Sequence, residues 1–201
     1  MWIFDSADGA PRIFKTREGH SGIPVRIRYY GGMTSASMRD NAEASSCEII
    51  SAGTDGTVRL FNTAVESQNR EMSQKVILKK FSYLKRNARL PLTIGFDFSE
   101  TRQRDWANMA TIHENHSNVY LWRYKKRSVT NLVLKQPSWN TNEMSHKIDV
   151  KTHSTAVALS SCGNFCIVGS KGAEPFFTTT FNRSYRHCII TRLSITCLLY
   201  A

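Results

Sequence analysis

The sequence has 201 residues, of which 41% are hydrophobic and 21% charged, a composition that excludes a largely disordered chain. Lysine and arginine number 27 against 16 aspartates and glutamates, and the resulting net charge of +11 favours a polyanionic partner such as RNA, DNA or an acidic protein surface. The N-terminus lacks the pattern of a signal peptide, and no apolar run approaches the roughly 20 residues of a membrane span, so we expect no membrane partner.

In chain order, short apolar segments alternate with turn signals, and helical periodicity is almost absent. The predicted strands are WIFD from Trp2, VRIRYY from Val25, CEIISAG from Cys47, TVRLF from Thr57, LTIGFDFS from Leu92, ANMATIH from Ala107, NVYLWR from Asn118, STAVALSS from Ser154 and NFCIVGS from Asn164. The pattern predicts an all-β protein made of short antiparallel strands.

The segment ISAGTDGTVRLFN, residues 50–62, gives the clearest local signal. Val58 and Leu60 alternate with polar residues, as in a half-buried strand. Asp55-Gly56 before them is a strong hairpin signal, since glycine tolerates the positive φ that a tight turn requires. We therefore predict that this strand pairs antiparallel with the apolar strand before the turn.

The same strand type recurs along the chain. NVYLWR, residues 118–123, lines up with TVRLFN, residues 57–62, and WIFD at the N-terminus has the same ending. Recurrence of this kind indicates a repeat architecture.

A Gly-His pair, Gly19-His20, precedes the first full set of strands, and Phe61 follows His20 by 41 positions. A Gly-His opening and a Trp-Asp-like ending about 40–45 residues apart is typical of a WD-repeat propeller blade. Residues 19–62 therefore resemble one WD repeat, with Phe61-Asn62 in place of Trp-Asp. Trp122-Arg123 ends a second, looser repeat.

Two further parts of the chain resemble incomplete repeats. Met1–Asp5 resembles the end of an earlier repeat, and Thr152–Gly172 resembles the first half of a later one. The resemblance implies a partial WD40 β-propeller of about two to three antiparallel four-stranded blades, arranged as an open arc. It places a partial WD-repeat domain at 1–172 and a divergent tail at 173–201, for which disorder or altered splicing is expected.

Within the WD-repeat family, the run with DSADG, REGHS and RIRYYG, residues 5–31, resembles the WD-repeat subunits of the small-subunit processome that are associated with the U3 small nucleolar RNA. The resemblance implies a truncated, non-enzymatic scaffold in the nucleolus of the nucleus, acting in pre-rRNA processing and small ribosomal subunit assembly. The implied partners are other WD-repeat processome subunits and pre-rRNA or U3 RNA, without a cofactor or small-molecule substrate. The alternatives are a general WD-repeat adaptor of a ubiquitin ligase or signalling complex, and a non-functional fragment.

WD repeats contain a hydrogen-bonded network inside the blade, and the resemblance assigns matching positions to His20, Ser51, Asp55 and Phe61, with Trp122 in the second repeat. Phenylalanine has no N–H, so in the first repeat only the first three of these can join the network. A catalytic Ser-His-Asp triad is the alternative, but no nucleophile-elbow motif surrounds Ser51.

No set of residues shows the spacing of a metal site. Cys162 and Cys166 lack a second pair, and the odd total of five cysteines indicates a reducing compartment. His113 and His116 could belong to a metal site, but no third ligand stands at a readable spacing. We expect these two histidines to lie in a solvated turn.

The most basic stretch, residues 69–90, follows the first repeat and includes aromatic side chains. Such residues can neutralise phosphates and stack on unpaired bases. The candidates for RNA contact are Lys75, Lys79, Lys80, Lys85, Arg86 and Arg89. The alternative is a basic outer strand, with VILKKF, residues 76–81, packing on the blade. A second, smaller basic segment is RYKKRS, residues 123–128.

Overall fold

The computed structural model describes residues 2–4, 9–30, 48–80, 89–134, 153–171, 176–179 and 188–189. The strands are β1 (Trp2–Phe4), β2 (Pro11–Ile13), β3 (Pro24–Tyr30), β4 (Glu48–Gly53), β5 (Val58–Asn62), β6 (Arg70–Glu71), β7 (Thr93–Phe98), β8 (Met109–His113), β9 (Val119–Arg123), β10 (Ser128–Leu134), β11 (Ser154–Leu159), β12 (Phe165–Ser170), β13 (Phe176–Thr179) and β14 (Cys188–Ile189). A 3-10 turn spans Glu66–Gln68, and one helix, α1, spans Lys75–Lys80.

The strands form three four-stranded antiparallel sheets and one two-stranded hairpin. In each of the larger sheets the strands follow one another in chain order, so every neighbour is joined by a direct connection. We call β3–β6 blade 1, β7–β10 blade 2 and β11–β14 blade 3, and the hairpin consists of β1 and β2. The prediction of antiparallel four-stranded blades is confirmed.

The predicted Asp-Gly hairpin joins β4 to β5. Gly56 adopts a φ of +70°, a conformation that side chains with a Cβ rarely adopt. The Asp55 carboxylate accepts a hydrogen bond from the Thr57 backbone N–H, which closes the turn. The two strands then pair antiparallel, with Ile49 opposite Phe61, as predicted.

Two apolar clusters hold the sheets together. The first lies between blades 1 and 2 and includes Ile50, Leu60, Phe96 and Trp122, all of which are almost completely buried. The second lies between blades 2 and 3 and is centred on residues such as Leu121 and Val168. Blade 2 is therefore packed on both of its faces, whereas each of the other two blades shares one of its faces with blade 2.

The first strands of the three blades, β3, β7 and β11, are the inner strands, and their exposure shows that the arc is open. β3 and β11 each contact β7, so the three inner strands lie side by side. Within β7 the residues are buried or half-buried on both faces, but β3 exposes 61% of Ile27 and 63% of Tyr29. The open arc of WD-type blades predicted from the sequence is confirmed.

Two elements differ from the sequence predictions. The alternative for the basic stretch 69–90, an outer strand with VILKKF packing on the blade, is borne out in part. β6 is the outer strand of blade 1, and Ile77 is buried in the first cluster, but Lys75–Lys80 forms helix α1, which the sequence pattern did not predict. The sequence also did not predict β13 and β14, which lie beyond Gly172; β13 pairs with β12 and β14 pairs with β13, so that together they complete blade 3. Within the part of the chain that the structure describes, no helix is long and apolar enough to cross a membrane.

Candidate functional site

In blade 1, three side chains from different segments meet in one hydrogen-bonded network. His20, in the connection before β3, places its Nδ1 3.0 Å from Asp55 Oδ2, and its Nε2 lies 3.1 Å from Ser51 Oγ. Asp55 also accepts hydrogen bonds from the backbone N–H of Ser21 and from the hydroxyl of Thr57. Because a carboxylate only accepts, the Nδ1 of His20 donates to it.

The backbone of β4 makes room for this network at Gly53. A Cβ at this position would lie 2.7 Å from His20 Nδ1 and 2.9 Å from Asp55 Oδ1, both closer than real Cβ contacts. The glycine therefore allows the histidine ring to lie against the strand. Its role here depends on the missing side chain and not on an unusual φ.

Burial by itself raises the pKa of Asp55, but the hydrogen bonds from Thr57, His20 and Ser21 outweigh it and hold the pKa below its usual range. The side chains of His20 and Asp55 are only 6% and 5% exposed, and Ser51 is 2% exposed. Although the order Asp-His-Ser matches a catalytic triad, a serine hydroxyl at this depth has no open side from which a substrate could approach it.

Phe61 lies beside this network without bonding to it. Its ring centroid is 6.1 Å from that of His20, and the residue is 8% exposed. The hydrogen-bonded chain in blade 1 therefore runs from Asp55 through His20 to Ser51.

Blade 2 contains a second network that includes Trp122. The indole Nε1 of Trp122 donates to Thr111 Oγ1 over 2.8 Å, and Thr111 Oγ1 lies 3.0 Å from His113 Nε2. The other ring nitrogen of His113, Nδ1, lies 2.7 Å from the backbone oxygen of Pro91. A carbonyl oxygen only accepts, so Nδ1 carries the proton and Nε2 accepts from the Thr111 hydroxyl.

His113 was wrongly expected in a solvated turn. It is the last residue of β8 and is completely buried. Burial is the main reason that its pKa falls to about 4, with a smaller effect of His116 in the same direction and an opposing effect of the Pro91 bond. The ring is therefore neutral at pH 7. The period-two pattern of ANMATIH, which places Thr111 and His113 on one face, was the sequence signal for this role.

The registers of the two blades relate these networks residue by residue. Phe61 is opposite Ile49 in blade 1, and Trp122 is opposite Met109 in blade 2. Two residues further along the second strand of each blade, β4 or β8, come Ser51 in blade 1 and Thr111 in blade 2.

Four residues further along come Gly53 in blade 1 and His113 in blade 2. His113 reaches its network from within the strand itself. In blade 1 this position is a glycine, and the ring of His20, which comes from the preceding connection, lies against it.

The structure separates the six candidates for RNA contact. Lys75 is exposed at the start of α1, and Lys79 and Lys80 belong to the same helix. Arg89 is exposed shortly before β7. Lys85 and Arg86 lie outside the described residues. Among the described residues, no group of three or more histidine, cysteine, aspartate or glutamate side chains could hold a metal ion.

Comparison with known proteins gives the family. No protein-family model matches the chain. Over 172 residues, 84% of this chain, it is 32% identical to the U3 small nucleolar RNA-associated protein 21 homolog of Schizosaccharomyces pombe. It is 30% identical over 174 residues to human WD repeat-containing protein 36, and 26% identical over 170 residues to U3 small nucleolar RNA-associated protein 21 of Saccharomyces cerevisiae.

The chain belongs to the WD-repeat proteins. Its similarity extends over 82–84% of its own length but only 15–17% of the length of each of these relatives. The chain thus spans about a sixth of the curated relatives that it matches. The resemblance to U3-associated WD-repeat subunits that the sequence motifs indicated is confirmed.

Proposed function

We propose that this WD-repeat chain is part of a non-enzymatic scaffold in the small-subunit processome, where it supports pre-rRNA processing and assembly of the small ribosomal subunit in the nucleolus. The observation that carries the proposal is its similarity to two relatives whose names state association with the U3 small nucleolar RNA. The proposed partners are neighbouring WD-repeat subunits and U3 RNA or pre-rRNA.

The geometry supports a scaffold in preference to an enzyme. The polar networks of blades 1 and 2 are buried, so they stabilise the blades and do not face a substrate. Edge-protected blades of this type are rigid, and they present broad faces to several partners at once. The exposed face of β3, with Val25, Ile27 and Tyr29, and the basic segments provide two chemically different surfaces for such partners.

A pull-down from nucleolar extract tests the proposal. The tagged 201-residue chain is incubated with extract, and bound RNA and proteins are measured by quantitative PCR and mass spectrometry. We expect enrichment of U3 RNA and of WD-repeat processome subunits. Treatment with ribonuclease before elution separates subunits bound through protein contacts from those bound through RNA.

A chain carrying Trp122→Ala, which removes the centre of blade 2, is the control for non-specific capture. Recovery of ubiquitin-ligase or signalling subunits without U3 RNA would replace the proposal with the adaptor function. Equal recovery by the variant and the wild-type chain would contradict specific binding.

A further inference from the structure

The structure joins two basic segments that are far apart in the sequence. The Ser73 backbone N–H donates to the Arg127 carbonyl over 2.8 Å, and the Val129 N–H donates to the Ser73 carbonyl over 2.9 Å. Ser73 precedes Lys75, the first residue of α1, and α1 packs against β10. The start of the basic helix therefore lies beside the turn 124–127, which connects β9 to β10.

A third basic segment reaches the same turn from within blade 2. The connection between β7 and β8, residues 99–108, lies at the same end of the sheet as the turn 124–127. Arg123 Nη2 donates to the Asp105 carbonyl over 2.7 Å, and the Tyr124 N–H donates to Asn108 Oδ1 over 3.0 Å. These bonds fix the two loops against each other.

Together these segments form what we call the basic ridge. Its cationic side chains are Lys75, Arg102, Arg104, Arg123, Lys125, Lys126 and Arg127. The carboxylates next to them are Glu48, Glu100 and Asp105, and of these Asp105 pairs with Arg102 at 3.4 Å in an exposed ion pair. Exposed ion pairs are weak, and the exposed side chains of Lys75, Arg104, Lys125 and Lys126 present positive charge to a ligand.

The ridge also contains an arginine–tryptophan pair that can serve as a stacking surface. The Arg102 guanidinium lies over the Trp106 ring, 5.5 Å from its centroid, and Arg102 exposes 43% of its side chain. Trp106 is held in place because its Nε1 donates to the Gly163 carbonyl of blade 3 over 3.2 Å. An arginine plane held in this way is a surface on which an unpaired base can stack.

We propose that the basic ridge binds single-stranded RNA, with its lysines and arginines on the phosphates and the Arg102 plane against a base. The choice of RNA over other polyanions rests on the proposed function. It is also favoured by the stacking surface, which an acidic peptide would not use. A double helix would not use it either, because its bases are already stacked.

Fluorescence anisotropy with a labelled oligouridine of about 15 nucleotides, at KCl concentrations from about 50 to 200 mM, tests this site. The test variant is Lys125→Gln with Lys126→Gln, both exposed in the turn. The matched control is Arg12→Gln with Lys171→Gln, which removes the same charge at exposed positions in β2 and after β12. Circular dichroism verifies that both variants fold.

We expect the test variant to bind about tenfold more weakly at 150 mM KCl, with a salt slope about 1.4 smaller, because two phosphate contacts are lost. The control should bind like the wild-type chain. Arg102→Lys keeps the charge but removes the plane, so its affinity should fall about tenfold while the salt slope is retained.

Three results would overturn the proposal. The first is equal weakening in both double variants, which would mean that only bulk charge matters. The second is absence of RNA binding by the wild-type chain. The third is tighter binding of a labelled polyglutamate peptide than of the RNA, which would assign the ridge to an acidic protein. Since this assay uses purified components, its failure would leave the outcome of the nucleolar pull-down unaffected.

Discussion

Blades 1 and 2 are separate four-stranded sheets of the same topology, and they fix the corresponding region with different chemistry. In blade 1 a histidine from the connection before the sheet lies against Gly53 and bonds to the ionised Asp55. In blade 2 the histidine belongs to the strand, and its partners are a hydroxyl and a carbonyl. Blade 2 has a tryptophan N–H to continue its chain of bonds, whereas blade 1 has Phe61 at the corresponding place.

The comparison shows that register determines where a blade needs a polar network, while the residues that form it can come from different segments. The second strand of each blade, β4 or β8, has a site for one imidazole ring. His20 supplies that ring in blade 1, and His113 supplies it in blade 2. The two networks also differ in charge, since one contains a carboxylate and the other is neutral. They should therefore respond differently to substitution and to pH.

The largest expected effect is at the centre of blade 2. Trp122→Ala removes a completely buried side chain and leaves a cavity between blades 1 and 2, so we expect the free energy of unfolding to fall by about 3–5 kcal/mol. Urea denaturation followed by circular dichroism measures it. The control Phe165→Ala, at a residue that is 45% exposed, should change stability by less than about 0.5 kcal/mol. Similar losses in both variants would contradict the central position of Trp122.

The next effect concerns pH. His113 has an unperturbed pKa of 6.5, lowered to about 4 in the folded chain. The contribution of neutral His113 to the free energy of unfolding is therefore fully present above pH 6.5. It decreases as the pH falls towards 4, and the total loss is about 3 kcal/mol. Asp55, whose folded pKa is also lowered, loses its contribution only at still lower pH. Urea midpoints from pH 8 to 4 measure the effect of His113.

His113→Gln removes the titrating ring, so the slope of stability between pH 6.5 and 4 should become smaller than in the wild-type chain. Asp55→Asn, the matched change in blade 1, should leave that slope unaltered. If the slope were unchanged in His113→Gln, the buried neutral histidine could not be its source.

A smaller effect is expected at the glycine of blade 1. Gly53→Ala places a methyl group 2.7 Å from His20 Nδ1, so the ring must shift and its bonds weaken, at a cost of about 1–3 kcal/mol. Gly169→Ala is the matched control, because its nearest neighbour would be 3.4 Å away, an ordinary contact. Thermal melts of both variants compare the two positions. A melt of Gly53→Ala equal to that of the control would refute the close approach of His20.

The smallest effect would make blade 1 more like blade 2. In Phe61→Trp the indole N–H has the same register relation to Ser51 that Trp122 has to Thr111. We expect a gain of about 0.5–1 kcal/mol from the added bond, measured by urea denaturation. A clear loss of stability would show that the two sites are not equivalent.

Much of the fold could be predicted from the sequence because the signals are local. Period-two alternation located the strands, and Asp55-Gly56 located the tight turn between β4 and β5. Helix α1 could not be predicted in this way, because the β-branched Val76 and Ile77 favour a strand. Its helical form is stabilised by packing of Ile77 in the core between distant segments, which overrides local propensity.

The polar networks were only partly predictable. The resemblance to a WD repeat predicted that His20, Ser51 and Asp55 share one network, and the structure places their side chains in contact. His113 was missed because the repeat pattern leads one to search for the histidine before the sheet and not at the end of its second strand. β13 and β14 were missed for a different reason: the segments FFTT and CI are too short to show a period-two pattern, and they form strands through pairing, β13 with β12 and β14 with β13.

Nuclear magnetic resonance of the histidine rings tests the account most directly, because the equivalence of the two blades depends on the state of His113. Long-range proton–nitrogen correlation spectra of the uniformly labelled chain report which ring nitrogen carries the proton at each pH. We predict that His113 stays neutral and protonated on Nδ1 from pH 8 down to nearly 4. A His113 ring that titrates near pH 6.5, or that carries its proton on Nε2, would contradict it.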